Sequence, residues 1–428
     1  MAEVAVAVLA TLDSKGEEAR FVRDALVRAG VRPWLVDLSL RPHAVDGADM
    51  SGGELAAAGG TTWDAMAKMD RTAAAKAMVA GGTRILGERF RIGAFSGVIG
   101  IGGANGTSMA CSLMRTLPPL VPKVMVSAVA ATAAVQWYVA ESDIAMFPSI
   151  GDISLNRITR GVLENAARAV AAMALARAAA EGAVEAPPPL VGVSSFGGTA
   201  GCVDRVTERL VAKGYEVIHF HASGPGGKAL ESLARLGELA GVVDVTTHEH
   251  ADLLVGGVYS AGEARLCSAG QAGLPQVVVP GALDHANFWV GQVPERYQDR
   301  EFFQYNAQNI LMRTDAEESA ALGRLVAERL NQARGPVAVL IPGRGFSEHT
   351  KRRTHDLDGR EVGSWKQPEV DAAFASALET DLEKGRIEEL DLHINDPEFA
   401  DACVDAFVRM MAERERMRQR AGGGTGGA

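Results

Sequence analysis

Short aliphatic and β-branched runs alternate along the chain with longer Ala-rich stretches of helical period. Such alternation is what a parallel sheet flanked by helices produces, because each buried strand returns through a crossover helix. In the first half the pattern predicts strands at Val4–Leu9, Pro33–Asp37, Gly97–Ile101, Val124–Ser127 and Asp143–Phe147. Helices are predicted near Glu17–Ala29, Thr72–Ile85, Ser108–Leu117 and Ile153–Ala180. The last of these runs into Glu185-Ala186-Pro187-Pro188-Pro189, where a proline triplet cannot continue a helix. Beyond it the pattern restarts, with strands at Leu190–Val193, Glu216–Phe220, Gly241–Val245, Gln276–Val279, Asn309–Met312, Val337–Ile341 and Ile387–Leu392. Helices are expected at Val203–Lys213, Ala229–Leu239 and from Glu398 to about Arg418. The expected fold is therefore α/β: two Rossmann-like domains, each a mostly parallel sheet flanked by helices. They span 1–184 and 190–418, with a Pro-rich linker at 185–189 and a flexible Gly-rich tail at 419–428. Both halves open with a strand and a polar or Gly-bearing turn, without a repeat of sequence.

Composition narrows the function. Of 428 residues, 47% are hydrophobic and 22% charged, which excludes global disorder. A balance of 43 basic to 53 acidic residues, with no long basic run, argues against nucleic acid or an anionic membrane as a general partner. Cys111, Cys202, Cys267 and Cys403 lie far apart and form no C-x-x-C pair, so a reduced cytoplasmic setting is expected. The first residues lack a positive n-region and read as a buried strand. The apolar stretch Val124–Ala140 is broken by Ser127, Thr132 and Gln136, and no membrane span is expected.

Ligands of open α/β sheets bind beyond the carboxyl ends of the strands. After the first strand comes Thr11-Leu12-Asp13-Ser14-Lys15-Gly16-Glu17, offering hydroxyls, a lysine and free N–H groups at a helix start, a combination that suits phosphate. The same turn also reads as an ordinary N-cap with a capping box to Glu17. After the third strand comes Gly102-Gly103-Ala104-Asn105-Gly106-Thr107, which is neither a Walker loop nor G-x-G-x-x-G. Its glycines allow close backbone approach, as they would in any tight turn. Asp37, ending the strand between them, is placed to accept from a ribose hydroxyl. Ser127 closes the fourth strand in small residues that leave room for a base or sugar.

Several of these stretches, with the second-half motifs His221-Ala222-Ser223-Gly224-Pro225-Gly226-Gly227, Pro275 to Asn287, Leu311-Met312-Arg313-Thr314 and His393-Ile394-Asn395-Asp396-Pro397, carry a resemblance. The chain resembles the ATP-binding family of the tomato mosaic virus resistance protein, in collinear order over almost its whole length. The resemblance implies two Rossmann-like domains, a homodimer and an ATP site in the first domain. Thr11, Asp13, Ser14 and Lys15 would line that site with Gly102, Gly103, Gly106 and Thr107. The family loop usually reads Gly-Gly-Ser-Gly-Gly-Thr, whereas here Ala104 removes a hydroxyl and Asn105 is expected in left-handed geometry, which Asn tolerates.

Eight of the nine histidines fall in the second half: His219, His221, His248, His250, His285, His349, His355 and His393. His219 with His221, and His248 with His250, have strand spacing that puts each pair on one face, so a metal is one reading and solvated loop histidines the other. Ser223, Gly226 and Gly227 form a second Gly-rich helix start suited to an anionic group. Asp284 beside His285 suits acid–base work, with Asn287 following. His393 follows the last strand, Arg344 offers a clamp for carboxylate or phosphate, and Cys202 sits at a helix start that would favour its thiolate. The leading expectation is an ATP-dependent enzyme, transferring a phosphoryl or adenylyl group to a small anionic substrate between its two domains. Mg²⁺ would be held by Asp13, and His221, Asp284 and His285 would handle protons. The alternatives are a nucleotide-gated binding module, suggested by the inhibitory role of the family's plant member, and an ATP-independent hydrolase or lyase in the second domain.

Overall fold

In the computed structural model, residues 3–44, 47–180 and 187–422 are described. Part of the proline linker (185–186) and the glycine tail from 423 lie outside them. The chain divides into two compact units, Met1–Ala186 and Pro187–Ala428.

The first unit holds a parallel sheet of β1 (Ala5–Ala10), β2 (Arg32–Asp37), β3 (Gly97–Gly102), β4 (Lys123–Ser127) and β5 (Ala145–Pro148), in the order β2-β1-β3-β4-β5. Successive side chains of a strand face opposite ways. Ala5, Ala7 and Leu9 accordingly pack with Met78, Leu86 and Leu113 on one face, while Val6, Val8 and Ala10 meet Val22, Leu26, Leu163 and Val170 on the other. Helices cover both faces, which is why the strands read as continuous apolar runs. From β1 the chain moves outward to β2 and then crosses back to β3, so the loops after β1 and β3 diverge and leave a crevice.

The second unit repeats this plan. The strands are β6 (Leu190–Ser195), β7 (Glu216–His221), β8 (Gly241–Thr246), β9 (Gln276–Gly281), β10 (His285–Trp289), β11 (Phe302–Gln304), β12 (Asn309–Arg313), β13 (Val337–Pro342), β14 (Arg353–His355), β15 (Glu361–Ser364) and β16 (Arg386–Leu390). A parallel sheet runs β16-β13-β9-β8-β6-β7, and its order reverses between β6 and β8. A second, antiparallel sheet, β10-β12-β11-β14-β15, is inserted around β13. The strand expected at Asn309–Met312 forms, but in this inserted sheet. No helix among the described residues is long and apolar enough to cross a membrane.

Gly281 ends β9 where a Cβ would collide with the carbonyl oxygen of Val245 on neighbouring β8. Gly161 lies in the helix Arg157–Ala180 with open space around its Cα. Gly281→Ala is expected to destabilise the second unit by about 1–3 kcal/mol, and Gly161→Ala to stabilise the first by about 0.5–1 kcal/mol. Urea midpoints of the two variants check this, and equal midpoints would refute the close packing of β8 on β9.

Candidate active site

At the first reversal, between β1 and β3, a cleft of about 640 Å³ is lined by Thr11, Asp13, Ser14 and Lys15 from one loop and Gly103 to Gly106 from the other. Arg41, Arg71 and Asp152 also line it. Two helices begin there, Leu12–Arg28 and Ala104–Met114; the Leu12 and Asp13 N–H groups of the first are taken by Asp37 Oδ1 and Ser39 Oγ, whereas the second has no side-chain cap. The first N–H groups of the second helix bring partial positive charge to the opening. Lys15 leaves helical geometry (φ −127°, ψ 23°), and its Nζ donates to the carbonyl of Ile153. The Thr11 and Ser14 hydroxyls bond each other at 2.9 Å.

Four residues expected at this site lie below it instead. Asp37 is buried, where Oδ1 accepts from the Leu12 and Ser39 N–H groups and the Ser39 hydroxyl, and Oδ2 meets His43 Nε2 at 2.9 Å. It ties the loop after β1 to β2 and has no oxygen free for a ribose. Thr107 and Ser127 are buried and share a 2.7 Å hydroxyl bond, with Thr107 also donating to the Gly102 carbonyl. Gly102 presses on the backbone of Gly106 and Thr107, so its lack of a Cβ serves packing. Asn105 is not left-handed, because the helix begins at Ala104 and takes Asn105 into its first turn.

The second reversal carries the densest chemistry. Asp284, in the turn between β9 and β10, is buried and accepts from His285 Nδ1 at 2.9 Å, the Ser347 hydroxyl at 2.6 Å and Trp365 Nε1 at 2.8 Å. Burial would raise its pKa, but the His285 bond and the nearby Arg313 outweigh it and hold the carboxyl well below the usual range. Arg313 on β12 braces the turn, donating to the Asp284 carbonyl, the Trp365 carbonyl and Asp371. His285 is fully buried, and its Nε2 has no partner among the described residues. Around it stand His248 at 5.9 Å between ring centroids, His349 at 5.5 Å and Trp365 at 5.8 Å. Neither nitrogen of His248 has a partner, nor does Nδ1 of His349. Burial pushes His248 well below its ordinary value and His349 down to about 4.

Other expected residues are committed elsewhere. The helix start at Gly224 and Gly227 is filled from within, since Glu249 Oε1 accepts both N–H groups at 2.7 and 3.2 Å. Glu249 in turn meets Arg265, which forks onto Asp244. Gly226 and Gly227 are glycines because a Cβ would strike the His221 carbonyl and the Glu249 carboxylate, while Ser223 bonds the His221 carbonyl. Asn287 is buried on Asp252 and Asn309. Arg344 is closed by a bidentate surface pair with Asp391. His393 Nε2 lies 3.0 Å from the Ser347 carbonyl and Nδ1 accepts from the Asn395 N–H, so it braces the Ser347 loop. His221 is exposed and meets Phe196 at 5.3 Å, whereas His219 bonds Thr207 at the surface. The two histidine pairs do not converge, and among the described residues no group of three His, Cys, Asp or Glu is arranged to hold a metal. Cys202 is a core residue packed with Cys403.

Sequence reasoning passed over His349, Ser347, Trp365 and Phe196 as members of this cluster. The crowding of histidines in the second half and the adjacent Asp284-His285 pair are the signals that point to it.

Fold and sites define a two-domain α/β protein with a crevice at the reversal point of each parallel sheet. The chain belongs to the uncharacterised protein family UPF0261, whose N-terminal domain matches residues 4–179 and C-terminal domain residues 188–411. A UPF0261 protein of Rhizobium meliloti is 43% identical over 407 residues, covering 94% of this chain and 97% of that one. One from Clostridium tetani is 37% identical over 411 residues, 95% and 98% of the two chains. The ToMV resistance protein Tm-1 of Solanum lycopersicum is 38% identical over 322 residues, 74% of this chain and 41% of that protein. Among solved structures, a UDP-N-acetylglucosamine 2-epimerase from Rickettsia bellii aligns over 96% of both chains at 10% identity, but its TM-score of 0.22 carries no weight.

The buried imidazole gives a pH test. Unfolded, His349 titrates near the ordinary imidazole value of 6.5, and folded it is held down to about 4 by burial. Between those values the unfolded chain binds more protons, so stability falls as pH falls. Asp252 and Asp371, both pushed up to about 6 by burial, act in the opposite sense, because there the folded state holds the extra protons. Replacing His349 by Gln leaves the carboxylates in place and removes a loss on the order of 1–3 kcal/mol. Urea midpoints from pH 7 to 4 should fall less steeply in the variant, and an unchanged slope would show that His349 is not buried neutral.

Proposed function

We propose that the protein is an ATP-binding enzyme: the first unit takes ATP with Mg²⁺ in the cleft between β1 and β3, and the second supplies acid–base catalysis through Asp284–His285. The observation that carries the nucleotide reading is the uncapped helix start at Ala104, which shares one cleft with Lys15 and the Thr11 and Ser14 hydroxyls. Lys15 would release the Ile153 carbonyl to meet phosphate, and exposed Asp13 would hold Mg²⁺, whose charge offsets that of the triphosphate. Phosphoryl or adenylyl transfer is the reaction class that uses both units, and a homodimer is the assembly in keeping with the family resemblance.

A second reading has its own support. Every group around His285 described above belongs to the second unit, so this centre is complete without a residue of the first. That favours proton-transfer chemistry in the second unit, with nucleotide acting as a regulator.

Calorimetric titration with ATP, with and without Mg²⁺, tests the first reading. Binding is expected in the intact chain, and the double variant Asp13→Ala with Lys15→Ala should weaken it at least about tenfold, the loss of one charge-assisted contact. Unchanged affinity in the folded double variant would remove ATP from this cleft. ADP or AMP in the same sample would identify the group transferred.

A further inference from the structure

Four neighbouring strands of the second parallel sheet deliver side chains to one place from their carboxyl-end loops. Phe196 follows β6, His248 follows β8, Asp284 and His285 follow β9, and Ser347 and His349 follow β13. The rings form a chain: Phe196 lies 4.1 Å from His248, His248 5.9 Å from His285, and His285 5.5 Å from His349. Four ring nitrogens of these histidines are buried without a partner among the described residues. Buried polar atoms are almost always satisfied, so unpaired ones in one cluster point to a ligand that completes them.

The cluster's chemistry narrows that ligand. Ser347 donates to Asp284 and not to His285, so His285 has no hydroxyl nucleophile to activate. The buried cations of the second unit among the described residues, Arg265, Arg313 and Arg329, are each engaged by carboxylates or carbonyls, and the Gly224 helix start is filled by Glu249. An anionic group entering here would meet the Asp284 carboxylate with no buried cation free to balance it, and Arg352, the cation near His349, is exposed and stacked on Phe303. A neutral imidazole N–H is suited to a carbonyl oxygen, and an Asp-oriented imidazole to accepting a proton.

We propose that this cluster is a proton-transfer site for a small uncharged hydroxy-carbonyl compound, with His285 Nε2 as base and His248 as the hydrogen-bond donor to the carbonyl oxygen. The inference rests on the reading of Asp284–His285 as an acid–base pair. The C–H bond beside the carbonyl breaks and its proton passes to His285 Nε2, while the electron pair forms a C=C bond and the carbonyl π pair moves onto oxygen. Asp284 stabilises the imidazolium, and His248 stabilises the oxygen. Return of a solvent-derived proton to the carbon closes the cycle without a co-reactant. Burial keeps His248 neutral, as a donor to a developing enolate must be. Phe196, half-buried, packs on exposed His221 at 5.3 Å and on buried His248 at 4.1 Å.

The test uses the intact chain, dihydroxyacetone in D₂O and NMR of its carbon-bound protons. Exchange above the protein-free rate is expected. His285→Asn should lower it about a hundredfold or more, and His248→Phe should lower it more than His248→Gln, which keeps an N–H. Circular dichroism and the urea midpoint, close to those of the parent chain, report that the variants fold. No exchange, or exchange abolished by a chelator, overturns the proposal. Equal or faster exchange of pyruvate overturns the uncharged substrate class but leaves the acid–base pair standing. Exchange indifferent to His285→Asn removes the acid–base reading itself.

Discussion

Arg265, buried among Asp244, Glu231 and Glu249, is the charge about which the second unit is arranged. Its fork neutralises Asp244 in the middle of β8, and the same aspartate accepts from the Ser194 hydroxyl on β6. Its Nε holds Glu249, whose other oxygen fills the helix start at Gly224 and Gly227. A buried carboxylate that loses its partner costs about 3–5 kcal/mol, so each of these bonds depends on the others. The backbone yields to keep them, with Leu266, next in sequence, at φ 72°, a conformation most side chains avoid. Because Glu249 is fastened on one side and His250 bonds the Thr247 carbonyl on the other, His248 between them is left against Phe196 with both nitrogens unused.

The two units solve the same topological problem with opposite chemistry. Read from its first strand, the second sheet follows β7-β6-β8-β9-β13-β16, which repeats β2-β1-β3-β4-β5 with one strand added. Each therefore has one reversal and one crevice. In the first unit the reversal loops are rich in glycine and hydroxyl residues, and the open helix start at Ala104 leaves positive potential there. In the second, an internal glutamate fills the start of the helix after β7, and the reversal presents a phenyl ring and imidazoles. A phosphate suits the first environment and an uncharged polar molecule the second.

What could be read from the sequence follows from how locally each feature is encoded. Long buried strands such as β1, β8 and β9 announce themselves because both faces are covered and nearly every position is apolar or small, Asp244 and Gln276 being the exceptions. The short strands β11, β14 and β15 carry three or four residues, polar ones among them, and are held by cross-strand pairing that no local pattern shows. The same holds within the sites. Thr11 to Lys15 could be placed on a cleft because a strand end fixes where the next loop must go. Asp37 was misjudged because an acid at a strand end looks alike whether it faces a ligand or, as here, a serine and a histidine. Arg344 and Asn287 were misjudged because Asp391 and Asp252, their partners, lie 47 and 35 residues away.

One turn then accounts for the most reactive pair in the molecule. In an extended strand neighbouring side chains face opposite ways, so an Asp and a His in succession would not meet. Here Gly281 packs too closely on Val245 for any Cβ, and Ala282 adopts φ 57°, ending β9 abruptly. The chain reverses out of the parallel sheet within three residues, and Asp284 reaches Nδ1 of the residue that follows it. Ser347, Trp365 and Arg313 fix the aspartate from the loop after β13 and from the inserted antiparallel sheet and the residue just beyond it. That insertion is thus more than an elaboration of the fold: with the loop after β13 it fixes Asp284 against His285, whose Nε2 is left without a partner among the described residues.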